Sequence, residues 1–253
     1  MGRPIIDKTG ERKLNNFGSE IVVVKYVNDR NADIFFPQYN YLIKNTPYDR
    51  FRNGTVRCPY EPRVHGVGYL GEGQYKASIN RRNTKIYEMW ENMLKRCYAI
   101  NRGKRSVTYY DCIVDEKWHN FQNFAQWYEN NYYEIEGQKM CLDKDIKYKG
   151  NRVYSSKNCL IVPERINILF KSNHSQRGDE PIGVHYHRGE YVTRCNTLEG
   201  RIWIGSYSNP KTAFQSYKNF KEQYIKQVAD EYKNLIPKQV YDAMYQYKIE
   251  ITD

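Results

Sequence analysis

The apolar residues of this chain come in short segments, and their spacing changes repeatedly from that of a strand to that of a helix. Strand-like runs occur at residues 21–24 and 34–36, and helical spacing follows at residues 86–97 and 121–128. No apolar run approaches the roughly 18 residues that a membrane-spanning helix requires. The pattern therefore predicts an α+β chain built from several small modules, with no membrane association.

The charge of the chain narrows the class of partner. Lys and Arg number 40 against 29 Asp and Glu, which gives a formal net charge of +11. Such an excess makes a polyanion the expected partner, although a highly charged surface alone can produce the same balance. The 25 tyrosines are numerous enough to fill several small cores, because tyrosine buries a large apolar ring.

Cysteine and histidine usage indicates little metal or disulfide chemistry. The six cysteines are widely spaced without a Cys-x-x-Cys pair, so we expect buried thiols in place of zinc ligands or disulfides. Residues 1–13 contain no apolar stretch suited to a signal peptide, which favours a cytoplasmic protein. His185 and His187 would share one face of a strand, either as a metal site or as a solvated or DNA-facing pair.

Breaks in the pattern predict the module boundaries. Residues 1–63 read as a small β module, for which we expect a barrel-like fold, and residues 64–170 as a central module containing helices. The polar segment 171–180 reads as a linker. Residues 181–253 begin with a three-stranded meander, and Asn209 and Pro210 then start a helix as its N-cap and first residue.

Several short motifs follow one another in the central segment. They are Met-x-x-Arg-Cys-Tyr at 93–98, Cys-x-x-x-Glu-x-Trp at 112–118, Phe-x-Asn-Phe at 121–124, Leu-Asp-Lys-Asp-Ile at 142–146 and Gly-Asn-x-x-Tyr-Ser at 150–155, followed by Asn158, Cys159 and Asn167. Together they resemble the phage-type HNH endonuclease-like proteins over about 80 residues. The resemblance implies a ββα scaffold whose catalytic centre consists of Asp143, Lys144, Asp145, Asn158 and Asn167.

Lys144 stands where this family carries the histidine that acts as general base. A protonated lysine cannot accept a proton near neutral pH, and the flanking Asp143 and Asp145 hold the proton more firmly. We therefore interpret the nuclease centre as degenerate. The alternative is an active DNA nickase in which Asp145 and Asn158 hold Mg²⁺. Turn and cap chemistry is a further explanation for Asn158 and Asn167.

The C-terminal segment carries a second set of motifs. Gly-Val at 183–184, Arg-x-Trp-x-Gly-x-Tyr at 201–207 and the helix after Asn209 resemble the ethylene-response (Apetala-type) DNA-binding domain. That resemblance implies a sheet lying in the major groove, where arginine pairs with guanine and asparagine with adenine. The implied DNA contacts are His185, His187, Arg188, Arg194, Asn196, Arg201 and Trp203.

Three functions are open at this point. The first is a monomeric double-stranded DNA-binding protein of the phage homing-endonuclease type, encoded by a phage or mobile element, acting in the bacterial cytoplasm and needing no cofactor for binding. The second is the active Mg²⁺-dependent nickase. The third is a phage-encoded anti-defence protein that inhibits a host nucleic-acid enzyme by binding.

Overall fold

The computed structural model describes residues 6–99, 109–171 and 180–253. Within these ranges it contains six helices and several sheets, which confirms the predicted mixed α+β class. None of the helices described is long and apolar enough to cross a membrane. The chain divides into two compact units, Met1–Gly103 with Glu116–Gln126, and Lys104–Asp115 with Trp127–Asp253.

The first unit begins with a four-stranded antiparallel meander. Its strands are β1 (Arg12–Leu14), β2 (Glu20–Asn28), β3 (Asn31–Phe36) and β4 (Tyr41–Thr46), paired in chain order, and helix α1 (Tyr48–Arg52) follows. The strands predicted at 21–24 and 34–36 lie within β2 and at the end of β3, where β-branched and aromatic residues favour an extended backbone.

The prediction of a barrel-like N-terminal module is wrong in one respect, since this sheet is open. Among the described residues β1 pairs only with β2, and β4 pairs only with β3. Four short strands are too few to close around a core. Phe51 and Val56, which follow the meander, instead cover its apolar face at Ile21, Val23 and Ile34.

The remainder of the first unit is mainly helical. A short hairpin of β5 (Ser78–Ile79) and β6 (Arg82–Asn83) leads into α2 (Lys85–Tyr98), which Thr84 caps by accepting a hydrogen bond from the Tyr87 amide. Helix α3 (Phe121–Asn131) begins in this unit.

The second unit contains the segment that resembles the nuclease. Strands β8 (Met140–Asp143) and β10 (Leu160–Pro163) form an antiparallel pair, and α4 (Glu164–Ile168) follows directly. Between them, β9 (Val153–Tyr154) pairs in parallel with β7 (Ile113–Val114). In chain order the segment is therefore β8, β9, β10 and α4, and α4 has only five residues.

The C-terminal part of the second unit is a three-stranded antiparallel sheet covered by a long helix. The strands are β11 (Val184–His187), β12 (Glu190–Asn196) and β13 (Arg201–Tyr207), in that order. Helix α5 (Pro210–Tyr232) starts at the predicted N-cap, where the Asn209 side chain accepts a hydrogen bond from the Lys211 amide. Helix α6 (Lys238–Gln246) follows it.

Helix α5 takes part in two apolar cores. Its first half packs Ala213, Phe214 and Tyr217 against the three-stranded sheet. Its second half packs against β10 and α4. The buried residues of this second core are Ile146, Leu160, Val162, Ile166, Leu169, Tyr224, Ile225, Val228, Ala229, Tyr232, Ile236, Val240 and Met244. One helix thus joins the nuclease-like segment to the sheet. Residues 172–179 of the predicted linker lie outside the described residues, and the predicted module boundaries stay predictions.

Candidate nucleic-acid interface

Strand register places most of the predicted DNA-contact residues on one face of the C-terminal sheet. Asn196 lies opposite Arg201 and Arg194 lies opposite Trp203, while His185 lies opposite Val192 and His187 opposite Glu190. The other face carries Val184, Thr193 and Cys195, which pack toward α5. We call the first set the outer face of the sheet; its predicted contact residues are His185, His187, Arg194, Asn196, Arg201 and Trp203.

The outer face is exposed and basic. Trp203 is 61% exposed, although an indole with no contact role would normally be buried. No ion pair between described residues involves Arg188, Arg194 or Arg201, so their guanidinium groups are available to an anion. Arg188 occupies the turn between β11 and β12 with a φ of 50°. One carboxylate, that of Glu190, shares this face.

The surroundings of His185 on this face disfavour its protonated form. Partial desolvation, together with the positive charges of Arg201 and Arg194, lowers the pKa of His185 from its ordinary value. A neutral imidazole has one donor and one acceptor nitrogen, and it gains a second donor when a neighbouring anion favours its protonation.

Four of the residues predicted for the nuclease centre, Asp143, Lys144, Asp145 and Asn158, belong to the hydrogen-bonded loop between β8 and β10. Lys144 is nearly buried; its ammonium donates to the Asp145 carboxylate and to the backbone oxygen of Asn151, which is 2.9 Å away. The Asp143 carboxylate accepts the amides of Asp145 and Ile146 at 2.8 and 2.7 Å. Burial is the main cause that raises the pKa of Asp143. These contacts shape the loop between β8 and β9.

The two predicted asparagines have different surroundings. The Asn158 amide donates to the side-chain oxygen of Asn151 at 3.0 Å and to the backbone oxygen of Val153 at 3.3 Å. Asn167 lies on α4, and its backbone oxygen accepts a hydrogen bond from the Phe170 amide at 3.3 Å. Both residues thus take part in turn or helix-end hydrogen bonds, as turn and cap chemistry would require.

This donor set suits a divalent cation poorly. The carboxylate of Asp145, the predicted metal ligand, is bound to the Lys144 ammonium through Oδ1, and a second positive charge beside that ammonium would be repelled. No group of three His, Cys, Asp or Glu side chains is placed to hold a metal ion among the residues that the structure describes. All six cysteines are free thiols, and five of them are buried as predicted.

A cleft of about 700 Å³ lies between the loop that joins β8 to β9, which we call the nuclease-like loop, and the C-terminal sheet. Lys144, Asp145 and Arg152 line one side of it, and His185 and Arg194 line the other. The structure thus brings part of two separately predicted sites to one cavity. The cleft is also lined by Lys149, Lys171, Asn196, Arg201, Tyr217, Lys221, Tyr247 and Asp253. His187, Arg188 and Trp203 are not among its lining residues.

Lys221 is the functional candidate that the motifs missed. It lies on α5 between the two cores, is 7% exposed, and donates a hydrogen bond to the backbone oxygen of Asn196 at 3.3 Å. Its sequence signal is its position four residues after Tyr217 and three before Tyr224, which places a lysine on the apolar face of the helix. A lysine at such a position is nearly always paired when buried.

Comparison with known proteins adds no assignment. A scan against family models finds no matching family, and searches of curated proteins and of solved structures likewise find no match. The argument for function therefore depends on the geometry and charge described above.

Proposed function

We propose that this chain is a double-stranded DNA-binding protein that contacts the duplex through the outer face of its C-terminal sheet. The observation that carries the proposal is the register that gathers Arg194, Asn196, Arg201 and Trp203 on one exposed face. Arginine and asparagine are the side chains best suited to reading guanine and adenine in the major groove. No cofactor is needed for this binding, and we expect a monomer.

The charges of the chain support the same partner. Arg194 and Arg201 are free of carboxylates among the described residues, and the chain as a whole carries a formal charge of +11. Lys and Arg across the chain, those of the outer face included, would supply phosphate attraction without sequence preference, while the outer face would also supply the base contacts. The resemblance to the Apetala-type domain predicts the same sheet and the same residues.

The nuclease-like centre is, in this proposal, a degenerate one that serves binding. Lys144 occupies the position of the general base, and its ammonium is already bound to Asp145 and Asn151. These contacts favour a structural role over Mg²⁺-dependent hydrolysis. They do not require that the family resemblance be abandoned, because a scaffold can persist after its chemistry is lost.

Salt-dependent DNA binding tests the proposal. We would measure the affinity of a labelled duplex by fluorescence anisotropy across a range of salt concentrations, for the wild type and for Arg194→Gln/Arg201→Gln. Losing two phosphate contacts should reduce the slope of log affinity against log salt by about 1.8. The matched control is Lys233→Gln/Lys238→Gln, which removes the same charge from exposed positions on the C-terminal helices.

Two results would contradict this reading. One is an absence of duplex binding at low salt, and with co-purification of a host enzyme it would favour the inhibitor function instead. The other is equal salt slopes for the outer-face variant and its control. Nicking of supercoiled plasmid in Mg²⁺ that disappears in Asp145→Asn would refute the degenerate centre, whereas nicking that persists in this variant would come from a contaminant.

A further inference from the structure

The charged groups of the cleft are not balanced. Its two carboxylates are already bound, Asp145 by Lys144 and Asp253 by Lys149. Lys221, by contrast, forms no ion pair with any described carboxylate, and its ammonium donates to the neutral backbone oxygen of Asn196. An ammonium ion that is nearly buried beside an open cavity, with no anion to neutralise it, is costly to keep charged.

The cationic groups that line the cleft differ in how deeply they are buried. Lys221 is 7% exposed, while Arg194 and Arg201 are exposed. The aromatic side chains of Tyr217 and Tyr247 also line the cavity. Its volume lies within the roughly 300–1,000 Å³ that is typical of pockets for small ligands. The cleft therefore offers a buried cation, outer cations and ring surfaces in one enclosure.

We infer that this cleft is a phosphate-binding pocket, in which the buried Lys221 and the exposed Arg194 and Arg201 hold a phosphate ester. The phosphate would be one that is not part of the backbone of an intact duplex. A duplex lying on the outer face cannot bring a backbone phosphate to an ammonium buried below that face. The end of a strand, or a free nucleotide, can enter the cavity, and its base would then lie against the half-buried ring of Tyr247.

The surroundings of Lys221 agree with this inference. Burial lowers the pKa of its ammonium from the ordinary lysine value, and a bound phosphate would restore the charged form. Phosphate oxygens would also give the ammonium hydrogen-bond acceptors beyond the single backbone oxygen that it now contacts. The inference goes beyond duplex binding and does not require it.

Two pairs of probes test the pocket and separate the two sources of phosphate. Adenosine 5′-monophosphate is compared with adenosine, and a short blunt duplex with 5′-phosphate is compared with its 5′-hydroxyl twin, by isothermal titration with the full chain. The phosphorylated member should bind at least tenfold more tightly in one pair or both. The pair that shows the difference identifies a free nucleotide or a strand end as the source.

Variants of one helix supply the matched control. Lys221→Met should abolish the preference for phosphate, whereas Lys226→Met removes the same charge from the same helix outside the cleft and should keep it. Failure of the wild type to prefer the phosphorylated member of either pair would overturn the inference. An equal preference in the wild type and Lys221→Met would also overturn it.

A measurement on the unmodified chain covers the case in which Lys221→Met does not fold. Phosphorylated ligand should slow acetylation of Lys221 at least tenfold, read by mass spectrometry, and leave Lys226 unchanged; equal Lys221 rates would refute the pocket. Binding to covalently closed plasmid, which has no strand ends, is measured in parallel. Loss of that binding alone would count against duplex recognition and leave the pocket intact.

Discussion

Replacing Ile166 by alanine tests whether the nuclease-like segment and the C-terminal sheet unfold together. Ile166 on α4 is fully buried in the core that α4 and β10 share with the second half of α5. Removing its side chain leaves a cavity, and such substitutions cost about 2–5 kcal/mol. That loss raises the unfolded population by roughly thirtyfold to several thousandfold.

Hydrogen exchange read by mass spectrometry provides the assay. If α5 couples its two cores, the slowest amides of β12 exchange only when both cores open. Their exchange should then accelerate by the same factor as those of β10, although Ile166 contacts no strand of the sheet core. The matched control is Ile168→Ala on the same helix, because Ile168 is 51% exposed and its loss should change stability by no more than about 0.5 kcal/mol.

One pattern of exchange would refute this reasoning. If Ile166→Ala accelerates exchange in β10 and α4 but leaves the slowest amides of β12 unchanged, the sheet is stable without the core beneath α4. The second unit would then contain two independently folding parts, as the separate modules predicted from sequence would.

Two further predictions concern pH and the loop network. Because the pKa of His185 is lowered in the folded chain, the unfolded chain takes up the proton first as pH falls below 6.5, so the free energy of unfolding should decrease in that window. Urea unfolding at pH 7.5 and about 5.5 should show a smaller decrease for His185→Gln than for the wild type. Equal decreases in the two proteins would contradict the shift. Asn158→Ala removes two hydrogen bonds of the loop and should lower the free energy of unfolding by about 1–3 kcal/mol in the same assay. The control Asn219→Ala, at an exposed site of α5, should change it by no more than about 0.5 kcal/mol. An unchanged free energy of unfolding in Asn158→Ala would show that the network does not hold the loop.

The local elements could be predicted from the sequence because their signals are local. Short runs of β-branched and aromatic residues at 21–24 and 34–36 mark two strands of the meander, and Asn209 with Pro210 marks the start of α5. The outer face also followed from alternation, since Arg194 and Asn196 are two residues apart on β12. Periodicity of this kind needs only neighbouring residues.

The features that the sequence did not predict depend on contacts between distant segments. The open N-terminal sheet results from Phe51 and Val56 covering a face that a barrel would have closed. The cleft requires α5 to hold the loop after β8 near Arg194 and Arg201, which are about 50 residues further along the chain. No periodicity within either segment encodes that distance. The one local sign of the cleft in the sequence is Lys221, a lysine on the apolar face of α5.

The position of Lys221 connects the proposed degenerate nuclease centre to the proposed phosphate pocket. A methionine could fill the same volume between the two cores without the cost of burying a charge, so a structural role alone does not account for an ammonium there. In the nuclease-like loop, the Lys144 ammonium binds Asp145 and removes a carboxylate that would otherwise repel an anion. Lys149 has the same effect on Asp253. In the proposed degenerate centre, a lysine at the position of the general base would thus also make the cleft more positive, and that centre would form one wall of the proposed phosphate site.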